Sequence, residues 1–170
     1  MRYGCAGLLS IVAMLAIWTY WPAPPLPRDA EIDRIVVDKS ARRLEVVSGG
    51  SVIAAYPIAL GRVPVGAKRE LGDGRTPEGD YVIDFHKRDS AFHRALHISY
   101  PAPRDIAAAD RLRAVPGGSI MIHGLKPGLG RIGRFHTLLD WTDGCIAVTN
   151  SEIDRLFRAV RDGTPIRIRA

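Results

Sequence analysis

The segment that decides the fold opens with Met121-Ile122-His123-Gly124 and closes with Asp140-Trp141-Thr142-Asp143-Gly144-Cys145-Ile146-Ala147-Val148-Thr149-Asn150. A histidine after an apolar run and a cysteine after a glycine form the pattern of a base and a thiol nucleophile. We therefore expect Cys145 to be a nucleophile and His123, at the end of an apolar strand, to be its base. The alternative is a buried structural cysteine that packs as a small hydrophobe. The turn-forming residues just before Cys145 favour the reactive interpretation.

The residues around Cys145 indicate what an active thiol would need. A cysteine attacks only as the thiolate, so a cation, a histidine or local amide dipoles must lower its pKa. Gly144 permits a sharp turn, which would let the backbone N–H groups near Cys145 converge on an oxyanion. His136 is nearer in sequence than His123, but its Gly- and Arg-rich surroundings are typical of a solvated loop histidine. We expect solvent exposure for the remaining three histidines, His86, His93 and His97.

A metal site is not expected in this chain. Cys145, His123 and His136 lack the paired short spacing of zinc ligands. The spacing therefore predicts no metal site.

Outward from this segment, the chain has the alternating pattern of half-buried strands. The pattern predicts a mainly β fold, an antiparallel meander with two short helices. We expect strands at 32–37, 43–47, 51–60, 81–85, 95–100, 119–123 and 164–168, and helices at 106–113 and 151–160. Pro57 suggests an edge position or a bulge in the third strand. The long stretch 61–79, rich in Gly and Pro, is expected to line a functional cleft.

The amino-terminal residues differ from the rest. Arg2 precedes an uncharged apolar run from Gly4 to Trp21, followed by a Pro-rich stretch. We expect residues 1–22 to be a signal-anchor or, alternatively, a cleaved signal peptide, residues 23–31 a linker and residues 32–170 one domain. The domain would then lie on the outer face of the cytoplasmic membrane. With Cys5 in the apolar run, Cys145 has no intramolecular partner in that oxidising compartment.

Charge and composition limit the partners. The formal net charge is +6 with 46% hydrophobic residues, which suits one folded domain and an anionic wall polymer or membrane surface as a partner. The arginines are scattered rather than clustered, so nucleic-acid binding is not predicted.

These residues resemble the L,D-transpeptidases of the YkuD (ErfK/YbiS/YcfS/YnhG) family. The family signature, a strand-borne His-Gly and a later Ser/Thr-x-Gly-Cys, is similar to His123-Gly124 and Thr142-Asp143-Gly144-Cys145. Upstream, Thr76-Pro77-Glu78-Gly79-Asp80-Tyr81 resembles the family's Thr-Pro-x-Gly-x-aromatic segment. The resemblance covers roughly residues 32–168 and implies a β-sandwich-like or barrel-like catalytic domain.

The resemblance also implies a reaction, in which a peptidoglycan stem tetrapeptide is the substrate. Cys145 would attack the L,D bond before the terminal D-alanine, release D-alanine and form a thioester. An amine from a second stem, a D-amino acid or a lipoprotein lysine would then accept the acyl group. His123 would move the protons, and the backbone at Gly144 would stabilise the oxyanion, with no metal or organic cofactor needed. The implied role is cell-wall biogenesis or remodelling in the periplasm, and through it cell shape.

The resemblance implies substrate contacts as well. On its basis we expect Gly124, Thr142, Asp143 and Thr76 at the substrate. Many members have histidine at the position of Asp143 and arginine at that of Ala147. Arg131 or Arg134 would substitute for that arginine. The two alternatives to transpeptidation are a hydrolytic variant, acting as an L,D-carboxypeptidase, an endopeptidase or an amidase that releases wall-linked lipoprotein, and an inactive wall-binding module.

Overall fold

The computed structural model describes residues 25–27 and 30–170. The predicted membrane segment at 1–22 lies outside these residues. Within the described part of the chain, no helix is both long enough and apolar enough to cross a membrane.

Strands dominate the domain. The described residues form eight strands, two α-helices and one 3-10 segment, in the order β1 Arg34–Asp38, β2 Arg43–Ser48, β3 Ser51–Pro57, β4 Gly79–Ser90, β5 His93–Ile98, α1 Pro103–Arg111, β6 Ile120–His123, a 3-10 segment Gly130–Leu138, β7 Ile146–Ala147, α2 Asn150–Ala159 and β8 Pro165–Arg169. The prediction of a mainly β fold with two short helices is confirmed.

The strands form one mixed sheet in the order β3-β2-β1-β8-β4-β5-β6-β7. The long strand β4 pairs with β8 through its first residues and with β5 through its later ones, so it joins the two halves of the sheet. Beyond β3, Ala59 bridges to Ala147 in β7. The chain leaving one edge strand thus reaches the other edge, which produces the expected barrel-like closure.

The core lies between the sheet and α2. The predicted apolar stripe of α2 is buried, with Ile153 and Leu156 fully enclosed. Thr149 caps the helix because its hydroxyl accepts from the Glu152 N–H while the Glu152 carboxylate accepts from the Thr149 N–H. This helix begins shortly after β7 and packs against β5 and β6, the strand that ends at His123.

The sheet differs from the predicted meander in two places. β1 pairs with β8 in parallel, as β6 does with β7. Both pairs join strands that are distant in sequence or separated by the 3-10 segment, so local alternation carries no information about their direction. β3 ends at Pro57 rather than at residue 60, because proline has no N–H to continue the ladder.

Candidate active site

The pairing of β6 with β7 sets the relation between Cys145 and His123. Ile122 pairs with Ile146 and His123 with Ala147, and both isoleucines are in the core. Since side chains alternate along strands, Met121 and His123 project from the opposite face to Ile122, and Cys145, just before β7, lies next to Met121. Diagonal neighbours on one sheet face are within reach of each other through long or aromatic side chains. The sheet therefore brings the predicted nucleophile and base to one face.

The His123 ring is held by one hydrogen bond and by aromatic neighbours. Nδ1 lies 2.7 Å from the Gly124 carbonyl oxygen, which can only accept, so Nδ1 carries the proton and Nε2 has the free lone pair. Phe92 and Trp141 pack against the ring, with centroids 4.4 and 5.7 Å away. His123 is 4% exposed, and burial lowers its pKa, against the opposing effect of the Gly124 hydrogen bond. The imidazole is therefore neutral near pH 7.

The thiol lies half-buried at the wall of a cleft of about 460 Å³. Its Sγ–H is directed at the Ser119 carbonyl oxygen, 4.0 Å away, rather than at the imidazole. Burial raises the pKa of Cys145, while a hydrogen bond from the Met121 backbone and the charge of Lys68 lower it in part. The sequence led us to expect a lowered pKa; the net direction is the reverse because burial has the larger effect.

The turn before Cys145 is built around Thr142. Its hydroxyl accepts from the Gly144 N–H at 3.1 Å and donates to the Cys145 carbonyl oxygen at 2.7 Å. Gly144 has φ +125°, and a Cβ there would lie 2.5 Å from the Arg75 carbonyl oxygen. Only glycine fits this position. Since the Gly144 N–H already has an acceptor, an oxyanion would have to displace the Thr142 hydroxyl to use it.

His136 is in the interior, and the expectation of a solvated loop histidine is wrong. The 3-10 segment folds it inward, so that it is 5% exposed and neither ring nitrogen has a hydrogen-bond partner. Burial and the proximity of His123 lower the pKa of His136 to about 4. It lines a mainly apolar pocket of about 430 Å³ that shares Trp141 with the packing around His123.

The other three histidines are half-buried rather than free in solvent. Each has an aspartate within hydrogen-bonding distance, which local sequence could not indicate because the partners come from other parts of the chain or across a hairpin. The pairs are His86–Asp162, His93–Asp154 and His97–Asp84.

The residues predicted at the substrate fall into two groups. Asp143 lines the Cys145 cleft, is 80% exposed and pairs with Arg62. Thr76 is fully buried, and its hydroxyl accepts from the Gly61 N–H at 3.1 Å. A Cβ at Gly124 would lie 2.7 Å from Asn150 Oδ1. Thr76 and Gly124 thus support the walls of the site.

The two arginines proposed to grip a carboxylate lie in the 3-10 segment and are not among the residues that line the Cys145 cleft. The Arg134 Nε is 3.6 Å from Oε1 of the buried Glu152. That contact anchors the 3-10 segment on α2.

Two residues of the site were missed by the sequence analysis. Lys68 lines the Cys145 cleft, and Phe92 packs on the His123 ring. Phe92 has no local signal, since it lies in a turn between β4 and β5. Lys68 lies within the long Gly/Pro stretch predicted to line a cleft, but one lysine among several charged residues there could not be singled out.

Comparisons with known proteins agree with this architecture. YafK of Escherichia coli K12 and YqjB of Bacillus subtilis, both named provisionally as L,D-transpeptidases, are 30% identical over 111 residues and 26% identical over 167 residues. These alignments cover 64% of this chain and 37% of YafK, and 95% of this chain and 83% of YqjB. The chain thus spans little more than a third of YafK.

Solved structures share the fold. The helical cell shape determining protein Pgp2 of Campylobacter jejuni matches with a TM-score of 0.60 and 22% identity, over 82% of this chain and 48% of that one. An L,D-transpeptidase of Mycobacterium smegmatis matches with a TM-score of 0.54 and 16% identity, over 83% and 59%. The family profile of the YkuD L,D-transpeptidase catalytic domain matches residues 32–168. The chain therefore belongs to the YkuD family of L,D-transpeptidase catalytic domains.

Proposed function

We propose that this domain is a peptidoglycan L,D-transpeptidase in which Cys145 is the nucleophile. Cys145 would attack the carbonyl of the L,D bond between residues three and four of a stem tetrapeptide, releasing D-alanine and leaving a thioester. An amine from a second stem, a free D-amino acid or a lipoprotein lysine would resolve it. The observation that carries the proposal is the half-buried thiol in a cleft, on the sheet face that also presents the fixed His123 imidazole.

Proton transfer follows from the state of the two groups. With Nδ1 donating to the Gly124 carbonyl, Nε2 of His123 is the atom that accepts the thiol proton. The pKa of His123 is lowered and that of Cys145 is raised, so the resting pair is a neutral imidazole and a neutral thiol. The proton would move as the thiol turns from the Ser119 carbonyl toward the imidazole. His123 would then return that proton to the leaving D-alanine amine and deprotonate the incoming amine.

The oxyanion would form beside the Thr142 turn. The Cys145 N–H is adjacent to the reacting sulfur, and the Gly144 N–H becomes available once the Thr142 hydroxyl gives it up. The chain needs no cofactor for this chemistry.

Location and partners are part of the same proposal. The stem peptides of the wall lie outside the cytoplasmic membrane, and the apolar run 4–21 would hold the domain there. The net charge of +6 suits the anionic wall polymers and lipid surface of that compartment.

The test is to incubate the full chain with a tetrapeptide muropeptide and a D-amino acid, and to measure D-alanine release and product mass. We expect the D-amino acid to be incorporated in place of D-alanine, and Cys145→Ala to abolish both signals. If the wild type releases no more D-alanine than Cys145→Ala does, the proposal of an enzyme is refuted and an inactive wall-binding module is favoured.

A hydrolytic variant is the second candidate. The exposed Asp143–Arg62 pair at the cleft is open to solvent, which gives water access near the thiol. Products that have lost D-alanine without gaining the amino acid would show that water is the acceptor.

A further inference from the structure

A buried lysine, Lys68, lies in the cleft of the proposed nucleophile. It belongs to the loop between β3 and β4, and only 3% of its side chain is exposed. Its Nζ donates to Asp73 Oδ1 at 2.8 Å and to the Glu70 carbonyl oxygen at 3.0 Å. Burying an ammonium is costly unless it is paired, and these two bonds supply the pairing.

The surrounding chain is shaped to keep the ammonium in place. Asp73 also accepts from the backbone N–H groups of Arg69, Glu70 and Arg75, so its carboxylate is itself fixed. A Cβ on Gly117 would lie 2.8 Å from the Lys68 Cε. The lysine side chain thus passes close to the backbone of the segment before β6.

Lys68 shares the cleft with Cys145. The cleft is lined by Lys68, Leu71, Gly72, Gly118, Ser119, Ile120, Asp143 and Cys145. Among these lining residues, Lys68 is the one cation. Asp143 is the one carboxylate, and it is largely exposed and engaged with Arg62. A charge held in a buried, low-dielectric wall acts over a longer range than one in solvent.

We propose that Lys68, fixed by Asp73, is a positioning residue that stabilises the thiolate of Cys145 when the thiol gives up its proton. The inference rests on the proposed role of Cys145 as nucleophile and extends it, because a fixed buried cation would add to the stabilisation that the His123 imidazolium gives the thiolate. The step is a proton transfer from Sγ to Nε2 of His123, in which Lys68 neither gives nor takes a proton.

The charged groups around the thiol come from several elements. His123 lies on the same face of the sheet, at the end of β6. Asp143 and its partner Arg62 lie on the turn before Cys145 and on the loop after β3. Lys68 and Asp73 belong to the loop between β3 and β4 and form a buried pair of opposite sign.

The experiment measures the rate of Cys145 alkylation by iodoacetamide against pH, with peptide mass spectrometry to separate Cys145 from Cys5. Lys68→Met should raise the apparent pKa of Cys145 by roughly one unit and slow alkylation at neutral pH about tenfold. Lys68→Arg keeps the charge and should restore most of the rate.

The matched control is Lys39→Met. Lys39 is a second buried lysine that pins the same loop, through the Gly66 and Thr76 carbonyl oxygens and Glu78, but it does not line the cleft. The Lys39→Met variant should have a lower melting temperature, as Lys68→Met should, but an unchanged apparent pKa of Cys145. An equal shift in both lysine variants would overturn the proposal and make Lys68 a structural residue only.

This readout does not depend on transpeptidation. If no D-alanine is released but the alkylation profiles shift as expected, the role of Lys68 stands and the proposed function fails. If D-alanine is released and Lys68→Met leaves the profile of Cys145 unchanged, the proposed function stands and the role of Lys68 fails.

Discussion

Replacing His136 by leucine should remove a specific part of the acid sensitivity of the fold. The unfolded chain has the ordinary histidine pKa of 6.5, and burial lowers the pKa of His136 in the native state to about 4. Between these values the unfolded state binds a proton that the native state does not, so stability falls as pH drops from 6.5 toward 4. The difference corresponds to about 3 kcal/mol. Above pH 6.5 the group contributes no pH dependence.

The assay is urea unfolding at a series of pH values between 4 and 8, in the wild type and in His136→Leu. Neither ring nitrogen has a partner, so the leucine loses no hydrogen bond and should be neutral or stabilising at pH 7. The free energy of unfolding that is lost as the pH falls from 6.5 to 4 should be smaller by about 3 kcal/mol in His136→Leu. Part of the loss should remain because burial also lowers the pKa of His123. Phe135→Leu changes the same segment without removing a titratable group and should parallel the wild type. If the free energy of unfolding depends on pH in the same way in the wild type and in His136→Leu, the pKa of His136 is not lowered in the native state.

Three further outcomes are expected. Gly144→Ala should destabilise the domain by about 3 kcal/mol or more in denaturant unfolding, because the added methyl group meets a backbone carbonyl. Gly163 is also at positive φ but would place its Cβ with no atom within 4 Å, so Gly163→Ala should cost only about 1 kcal/mol. Thr149→Ala removes the cap of α2 and should cost about 1 kcal/mol, read as a lower melting temperature; an unchanged value would contradict the capping role. His123→Gln should reduce D-alanine release by roughly a hundredfold or more with the fold intact by circular dichroism, and near-normal release would rule out His123 as the base.

The predictable part of the fold is the part encoded by local periodicity. Alternation and the apolar stripe of α2 located most strands and both helices, since those patterns reflect which face each element buries. The parallel β1–β8 and β6–β7 pairs were missed because strand direction depends on partners far along the chain. The burial of His136 was missed for a related reason: a Gly- and Arg-rich stretch suggests a loop, yet Arg134 anchors it on Glu152 of α2.

The residues of the candidate site also differ in whether a local sequence pattern indicates them. His123 and Cys145 could be proposed from the sequence because a strand end and a Gly-Cys turn have local signatures, and their catalytic roles stay a prediction. The packing of Phe92 on the His123 ring, and the position of Lys68 in the same cleft as Cys145, depend on tertiary structure. The arginines proposed to grip substrate were selected by closeness in sequence, but Arg134 is directed to Glu152 instead.

In the proposed reaction Cys145 carries the acyl group as a thioester. Intact mass spectrometry of the full chain, quenched in acid soon after mixing with a tetrapeptide muropeptide, detects this intermediate. We expect an adduct equal to the substrate minus D-alanine, located by peptide mapping on Cys145 and absent in Cys145→Ala. D-alanine release without an adduct that maps to Cys145, or with equal labelling of the Cys145→Ala chain, would contradict it.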